Sequence, residues 1–207
     1  MPRCKQCREK FITKSFLQKY CRKKDECLDA ESIYSLEKLK QKRTKDWKIE
    51  KAVLKINTHS KEHKKALQDS INLLSRLIDN LFYNSCIDCG KPYGKQQDAC
   101  HYHGRGANSS LKYNLHNLHS GSSQCNQWSD THKQGYAEGL KKRYGSDYFE
   151  TVVGLQLQYK ELRLSNVEIN DKLILVRKLI REFNTFYFKD GVSARTILNS
   201  IIGIYKQ

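Results

Sequence analysis

Between residues 67 and 81 the apolar positions recur in steps of four and three: Leu67, Ile71, Leu74, Ile78 and Leu81, with Leu73, Leu77 and Phe82 beside them. This spacing keeps one stripe of an α-helix apolar and predicts a helix packed on a core, ended by Asn84-Ser85. Upstream, from about Asp29, the chain runs to Tyr83 with neither proline nor glycine, and strong helix formers dominate. Its apolar residues there, among them Leu36, Leu39, Trp47 and Leu54, are isolated and give only a thin stripe. The expectation is a long exposed helix, broken near Asn57-Thr58. Downstream, short strands are expected around 98–103, a loop at 104–110, and a helix from near Asn126 past Gly135 to about Tyr144. Further helices are expected at about 147–163, 166–188 and 193–205. In the second of these Leu173, Val176, Ile180, Phe183 and Tyr187 share a face, and an Asp190-Gly191 turn with Ser193 as N-cap separates the last two. The pattern is mostly helical α+β.

Composition changes the picture in one direction. Only 38% of the 207 residues are hydrophobic, and the formal charge is +16. Mean hydropathy is −0.75. Much of the chain must be solvated helix or be held by something other than an apolar core. A positive surplus of this size favours a polyanion, with nucleic acid the common one. The excess is densest in the long helix, where Lys42, Arg43, Lys45 and Lys48 are candidate phosphate contacts and only Asp46, Glu50 and Glu62 oppose the basic run. No apolar run approaches the roughly 18 residues of a membrane span, and Met1-Pro2-Arg3-Cys4 opens no signal peptide. The expected location is a reducing cytoplasm, where paired Cys-x2-Cys knuckles mean metal rather than disulfides.

The eight cysteines fall into two groups. Cys4-x2-Cys7 and Cys21-x5-Cys27 enclose a basic insert with Phe11, Phe16 and Tyr20. Four thiolates over so short a span read as a zinc ribbon or treble clef, a piece too small to fold without metal. The second group begins with Cys86-Ile87-Asp88-Cys89-Gly90, a tight knuckle suited to zinc, and includes Cys100 and Cys125.

Between that knuckle and Cys125 lie the residue types that phosphodiester hydrolysis uses. The reaction needs an activated water, a cation on the developing phosphorane charge, and relief of the leaving oxygen. His101 is the candidate general base, and the amide of Asn117 the candidate group that fixes its loop. Asp98 and Asn126 are the natural oxygen ligands of a divalent ion, with Asp130 one helical turn beyond Asn126. Such ligands point to magnesium or manganese. Arg105, in the glycine loop, is a candidate phosphate cation. His103 would share the strand face of His101 and is a candidate phosphate contact. His59 and His63 read as helix surface, His116 as surface or packing, Tyr102 and Tyr113 as hairpin core, and His132 receives no role.

The order Cys-x2-Cys-Gly at 86–90, Asp-Ala-x-His-Tyr at 98–102, Asn-x2-Asn-Leu-His at 114–119 and Cys-Asn-Gln at 125–127 resembles the HNH, or ββα-metal, endonucleases. Within them it is most similar to the NinG (Rap) recombination nucleases of lambdoid phages. Those proteins also carry an amino-terminal four-cysteine finger and a basic helical stretch, and here the shared layout covers roughly residues 3 to 145. The resemblance implies His101 as base, Asn117 as the middle asparagine and Asn126 as a metal-side residue. It also implies branched DNA, including Holliday junctions, as substrate.

The chain departs from the family at three places. The closing Cys-x2-Cys has Ser122 as its first member, so the zinc ligands become Cys86, Cys89, Cys125 and a group from elsewhere: His119 or Cys100, with His119 preferred. Cys100 stands directly before the base, where many HNH enzymes have Asp or His. The last motif position reads Trp128-Ser129-Asp130, without the Lys or His often found there.

The expected organisation is a zinc finger at 1–28, a basic helical arm at 29–83, a zinc-stapled ββα-metal element at 84–146 and helices at 147–207. The leading function is a metal-dependent DNA endonuclease. Its rivals are a non-catalytic zinc-dependent DNA-binding accessory with a decayed site, and a zinc-finger protein that docks on phage or host recombination factors. A homodimer pairing through the long helix would suit a junction substrate.

Overall fold

A computed structural model of the chain describes residues 1–15, 17–128 and 132–205, the side chains at 127 and 128 excepted. Phe16 and Asp130 from the sequence reading lie outside the described residues. The chain divides into two compact units, 1–55 and 56–207. The boundaries expected at 83/84 and 146/147 both fall within the second.

The first unit has a small core of Cys4, Phe11, Tyr20, Cys21 and Cys27, with Ala30 and Tyr34 packed against it. Arg3 and Lys10 form an isolated antiparallel bridge. Helix α1 (Asp25–Thr58) starts with Asp25 and Glu26 in its first turn, where carboxylates offset the positive end of the helix dipole. Cys27 is its only buried residue, and Lys42, Arg43, Lys45 and Lys48 are all exposed. The long exposed helix of the sequence reading is therefore present, and it breaks at His59.

In the second unit α2 (Ser60–Phe82) buries Leu67, Ile71, Leu74 and Ile78, four of the five periodic positions. Leu81, the fifth, lies in the last turn and is 53% exposed. This stripe packs with Ile169, Leu173, Val176 and Leu179 of α6 (Asn166–Arg181) and with Ala194, Leu198 and Ile202 of α7 (Gly191–Ile202). Two short strands, β1 (Gln97–His101) and β2 (Leu118–Ser122), pair antiparallel with Cys100 opposite His119 and His101 opposite Leu118. Helices α3 (Ser123–Trp128), α4 (His132–Tyr144) and α5 (Ser146–Gln158) follow. A second core joins Ile87, Leu111, Tyr136, Leu140, Tyr148 and Val152. The described residues thus hold seven α-helices and a two-stranded sheet, a mostly helical α+β fold.

Helix α5 ends at Gln158, short of the expected 163, the helix expected from Asn126 to Tyr144 is described as α3 and α4, and α6 and α7 also differ from expectation. Asp190, not Ser193, is the N-cap of α7: its carboxylate accepts from Ser193 N at 2.7 Å, and Ser193 Oγ accepts from Asp190 N at 3.1 Å. This capping box satisfies donors at both ends of the first turn and starts the helix at Gly191. Helix α6 stops at Arg181 and the chain turns through a 3-10 segment, Phe183–Thr185. Tyr187 therefore leaves the apolar face and is 95% exposed.

Helix α4 sits on the knuckle backbone through two glycines one turn apart. A methyl at Gly139 would lie 1.6 Å from Ile87 O, and one at Gly135 would lie 2.0 Å from Asp88 Oδ1. A side chain at Gly139 would push the helix off the Ile87 backbone, and one at Gly135 would displace the Asp88 carboxylate.

Candidate functional site

The amino-terminal cysteines converge. Cys4, Cys7, Cys21 and Cys27 place their sulfurs within 4.8 Å of one another. Cys4 and Cys27 are 3.8 Å apart, and Cys7 and Cys21 are 3.7 Å apart. A tetrahedral zinc ion with bonds near 2.3 Å sets adjacent sulfurs about 3.8 Å apart, so this donor set fits zinc. Burial opposes ionisation of Cys4, but the backbone N–H groups of Cys7, Cys21 and Gln6 outweigh it and bring the thiol down to about 6. The loop thus favours a thiolate at Cys4, whereas burial and the neighbouring thiols push Cys27 up to about 12.

The second cluster holds Cys86, Cys89 and Cys125, also within 4.8 Å. For Cys86 too, burial is outweighed by backbone N–H groups, here those of Cys89, Ser122 and Asp88, and its thiol is lowered. All eight cysteines are free thiols.

His119 is not the fourth ligand. It is fully buried, and both ring nitrogens are engaged. Tyr136 spends its proton on Cys100 O at 2.9 Å, so its oxygen accepts from His119 Nδ1 at 3.0 Å. His119 Nε2 then accepts from Tyr148 at 3.2 Å, leaving no lone pair for a metal. Cys100, the alternative, is buried in the second core, where burial pushes its thiol up.

Four of the expected hydrolytic residues share a cleft. Asp98, His101, Arg105 and Asn126 line a single cleft of about 350 Å³. Asn126 Nδ2 donates to Asp98 Oδ2 at 3.1 Å. His101 Nε2 lies 3.2 Å from the carbonyl of Lys112. A carbonyl only accepts, so Nε2 carries the proton and Nδ1 the lone pair. Burial, reinforced by Arg105, lowers the His101 imidazole to about 4 despite that hydrogen bond. The ring is therefore neutral at ordinary pH.

Asn117 is fully buried and brackets the loop after His101. Its oxygen accepts from His103 N at 2.8 Å, and its amide donates to His103 O at 3.1 Å and Leu111 O at 3.3 Å. His103 departs from expectation: it is buried, and its Nε2 donates to Val152 O at 2.8 Å. It is out of reach of a phosphate. Asp130 is outside the described residues.

Three residues lining the cleft had no role in the sequence reading: His132, Arg76 and Asn72. His132 Nδ1 donates to Asp88 Oδ2 at 2.7 Å, which fixes the tautomer with Nε2 bare. Asp88 lies inside the knuckle, 44 residues away, so helical spacing from Asn126 could not reveal the pair. Asn72 and Arg76 are one turn apart on α2, a spacing that was legible but carried no sign of the facing strand.

Arg105 also lines a neighbouring groove with Lys64, Lys65 and Lys112. Burial, and after it the positive charges of Lys64 and Arg105, lower the Lys112 ammonium, and Asp69 lines the same groove.

Comparison with protein families matches residues 1–184 to the family described as "Bacteriophage Lambda NinG protein". The chain belongs to the NinG family. The match spans the four-cysteine cluster, the long basic helix and the whole cleft, so these features lie within the NinG-like part of the chain. Searches of curated proteins and of solved structures returned no match. No helix among the described residues is long and apolar enough to cross a membrane.

Proposed function

We propose that the chain is a metal-dependent DNA endonuclease of the HNH kind, acting on branched recombination intermediates as the NinG resemblance implies. The reading rests on a cleft that combines His101, Asp98, Asn126, His132, Arg76 and Arg105. His101 Nδ1 faces the reaction as the base that takes the proton of the attacking water, and the Lys112 carbonyl holds the ring in that tautomer. Asn117 keeps the following loop in place. Arg76 and Arg105 pair with phosphate oxygens.

A carboxylate oxygen of Asp98, the amide oxygen of Asn126 and the bare nitrogen of His132 form a mixed oxygen and imidazole set that suits manganese or magnesium. A divalent ion bound there supplies positive charge to the phosphorane and the leaving oxygen. The groove of Lys64, Lys65, Lys112 and Arg105 continues from the cleft and gives the DNA backbone a path to it.

The test is incubation of the full chain with linear, flap and four-way DNA under magnesium, manganese and chelator. Cleavage is expected with one of the ions, and His101→Ala should lower it by about 10²- to 10⁴-fold while DNA binding survives. If the unaltered protein cuts none of these structures with either ion, the nuclease reading falls and the DNA-binding alternative replaces it.

A further inference from the structure

Ser122 stands where the second cysteine cluster lacks a fourth thiolate. It precedes Cys125 by the same two-residue gap that separates Cys86 from Cys89. Its backbone N–H donates to Cys86 Sγ at 3.2 Å, and its hydroxyl accepts from Cys125 N at 3.3 Å. A neutral hydroxyl at that corner is a poor zinc ligand. Among the described residues no nearby group replaces it, because His119 is held by two tyrosines and Cys100 is packed in the core.

The corner is also open to solution. Cys86 is buried, but Cys125 is half-buried and Cys89 exposed. Both border a cleft of about 610 Å³ together with Ser122, Lys91 and Lys95. Zinc with three thiolates carries a net negative charge, which would repel an anion, and the two lysines offset it. The amino-terminal cluster has four thiolates and needs no outside donor.

We propose that the second metal centre holds its zinc ion through Cys86, Cys89 and Cys125 alone and keeps an exchangeable fourth position, which takes a small anionic Lewis base from solution through the Lys91/Lys95 cleft. This holds whether or not the chain cuts DNA.

The test uses the full chain with cobalt(II) in place of zinc, titrated with sodium azide and followed by visible absorption. Azide should perturb the bands of one of the two cobalt sites, and Ser122→Cys should abolish the response. In a parallel measurement, zinc release to a chromogenic chelator should show two phases, the faster belonging to the second centre. Ser122→Cys should slow that phase by about tenfold or more, the scale on which changes around a metal move its affinity. Bands unmoved by azide in the unaltered protein would overturn the proposal, as would a single release phase for both ions. Should Ser122→Cys fail to fold, the azide titration of the unaltered protein decides alone.

Discussion

The two units of this chain stay folded by different means. The first buries two aromatic rings and three thiols, Phe11 and Tyr20 with Cys4, Cys21 and Cys27. The second buries two apolar clusters and, between them, a fully enclosed ion pair of Arg195 and Asp79 at 2.7 Å. A core of the first kind is small against the entropy of ordering its own loop, and its four cysteines could hold an ion that supplies the difference. The second kind draws on apolar area and uses polar contacts to select one arrangement. Asp79 takes hydrogen bonds from Ser120 N, Tyr144 and Arg195, and Arg195 in turn donates to Leu115 O, Leu118 O and Gly191 O. One carboxylate and one guanidinium therefore join α2, α4, α7 and β2.

Metal removal should separate the units most sharply. Structural zinc contributes on the order of 10 kcal/mol to pieces of this size. Under reducing conditions with excess chelator, residues 2–27 should lose amide protection, while α2, α6 and α7 keep theirs. Hydrogen exchange read by mass spectrometry checks this. Protection of 2–27 that persists without metal would mean that the aromatic residues suffice, and the contrast would dissolve.

The next effect belongs to the second unit alone. Asp79→Ala leaves Arg195 buried without its partner and strands Ser120 N and Tyr144. The expected loss is about 3–5 kcal/mol by urea unfolding. A double change of Asp79→Leu with Arg195→Met should recover much of it, since a buried pair replaced together leaves no lone charge. A loss under about 1 kcal/mol for the single change would show that water reaches the pair.

These contrasts also explain what the sequence could disclose. The helix at 60–82 was legible because Leu67, Ile71, Leu74 and Ile78 repeat at helical spacing, and the knuckle because Cys86 and Cys89 are neighbours. Local periodicity and local motifs need no tertiary partner to be seen. Asp79–Arg195 spans 116 residues and His132–Asp88 spans 44, so neither leaves a local trace. His119 was misassigned for a related reason. Its residue type suits zinc, but Tyr136 and Tyr148, which claim its two nitrogens, arrive from helices 17 and 29 residues away. His103 is expected as a phosphate contact on the strand face of His101, but the strand has already ended at His101.

The smallest expected effect is a dependence on pH that the first unit, with no histidine, does not share. Burial, with help from Arg195, lowers His116 in the second unit from the ordinary 6.5 to about 4. His101 and His119 are lowered as well, chiefly by burial. Between pH 6.5 and 4 the unfolded chain holds a proton on His116 that the folded chain refuses, so acid favours unfolding. The stabilisation is complete above the ordinary histidine value and is lost progressively as pH falls toward the folded one. For His116 alone the loss by pH 5 is about 2 kcal/mol. His116→Gln should therefore flatten the fall in urea stability between pH 7 and pH 5, even though it also lowers stability at pH 7 by removing the Tyr148 contact at 3.2 Å. Acid weakens thiolate–metal sites in both proteins alike, so the difference between the two slopes isolates the imidazole. Equal slopes would place the His116 ring in contact with solvent and remove it from the buried network.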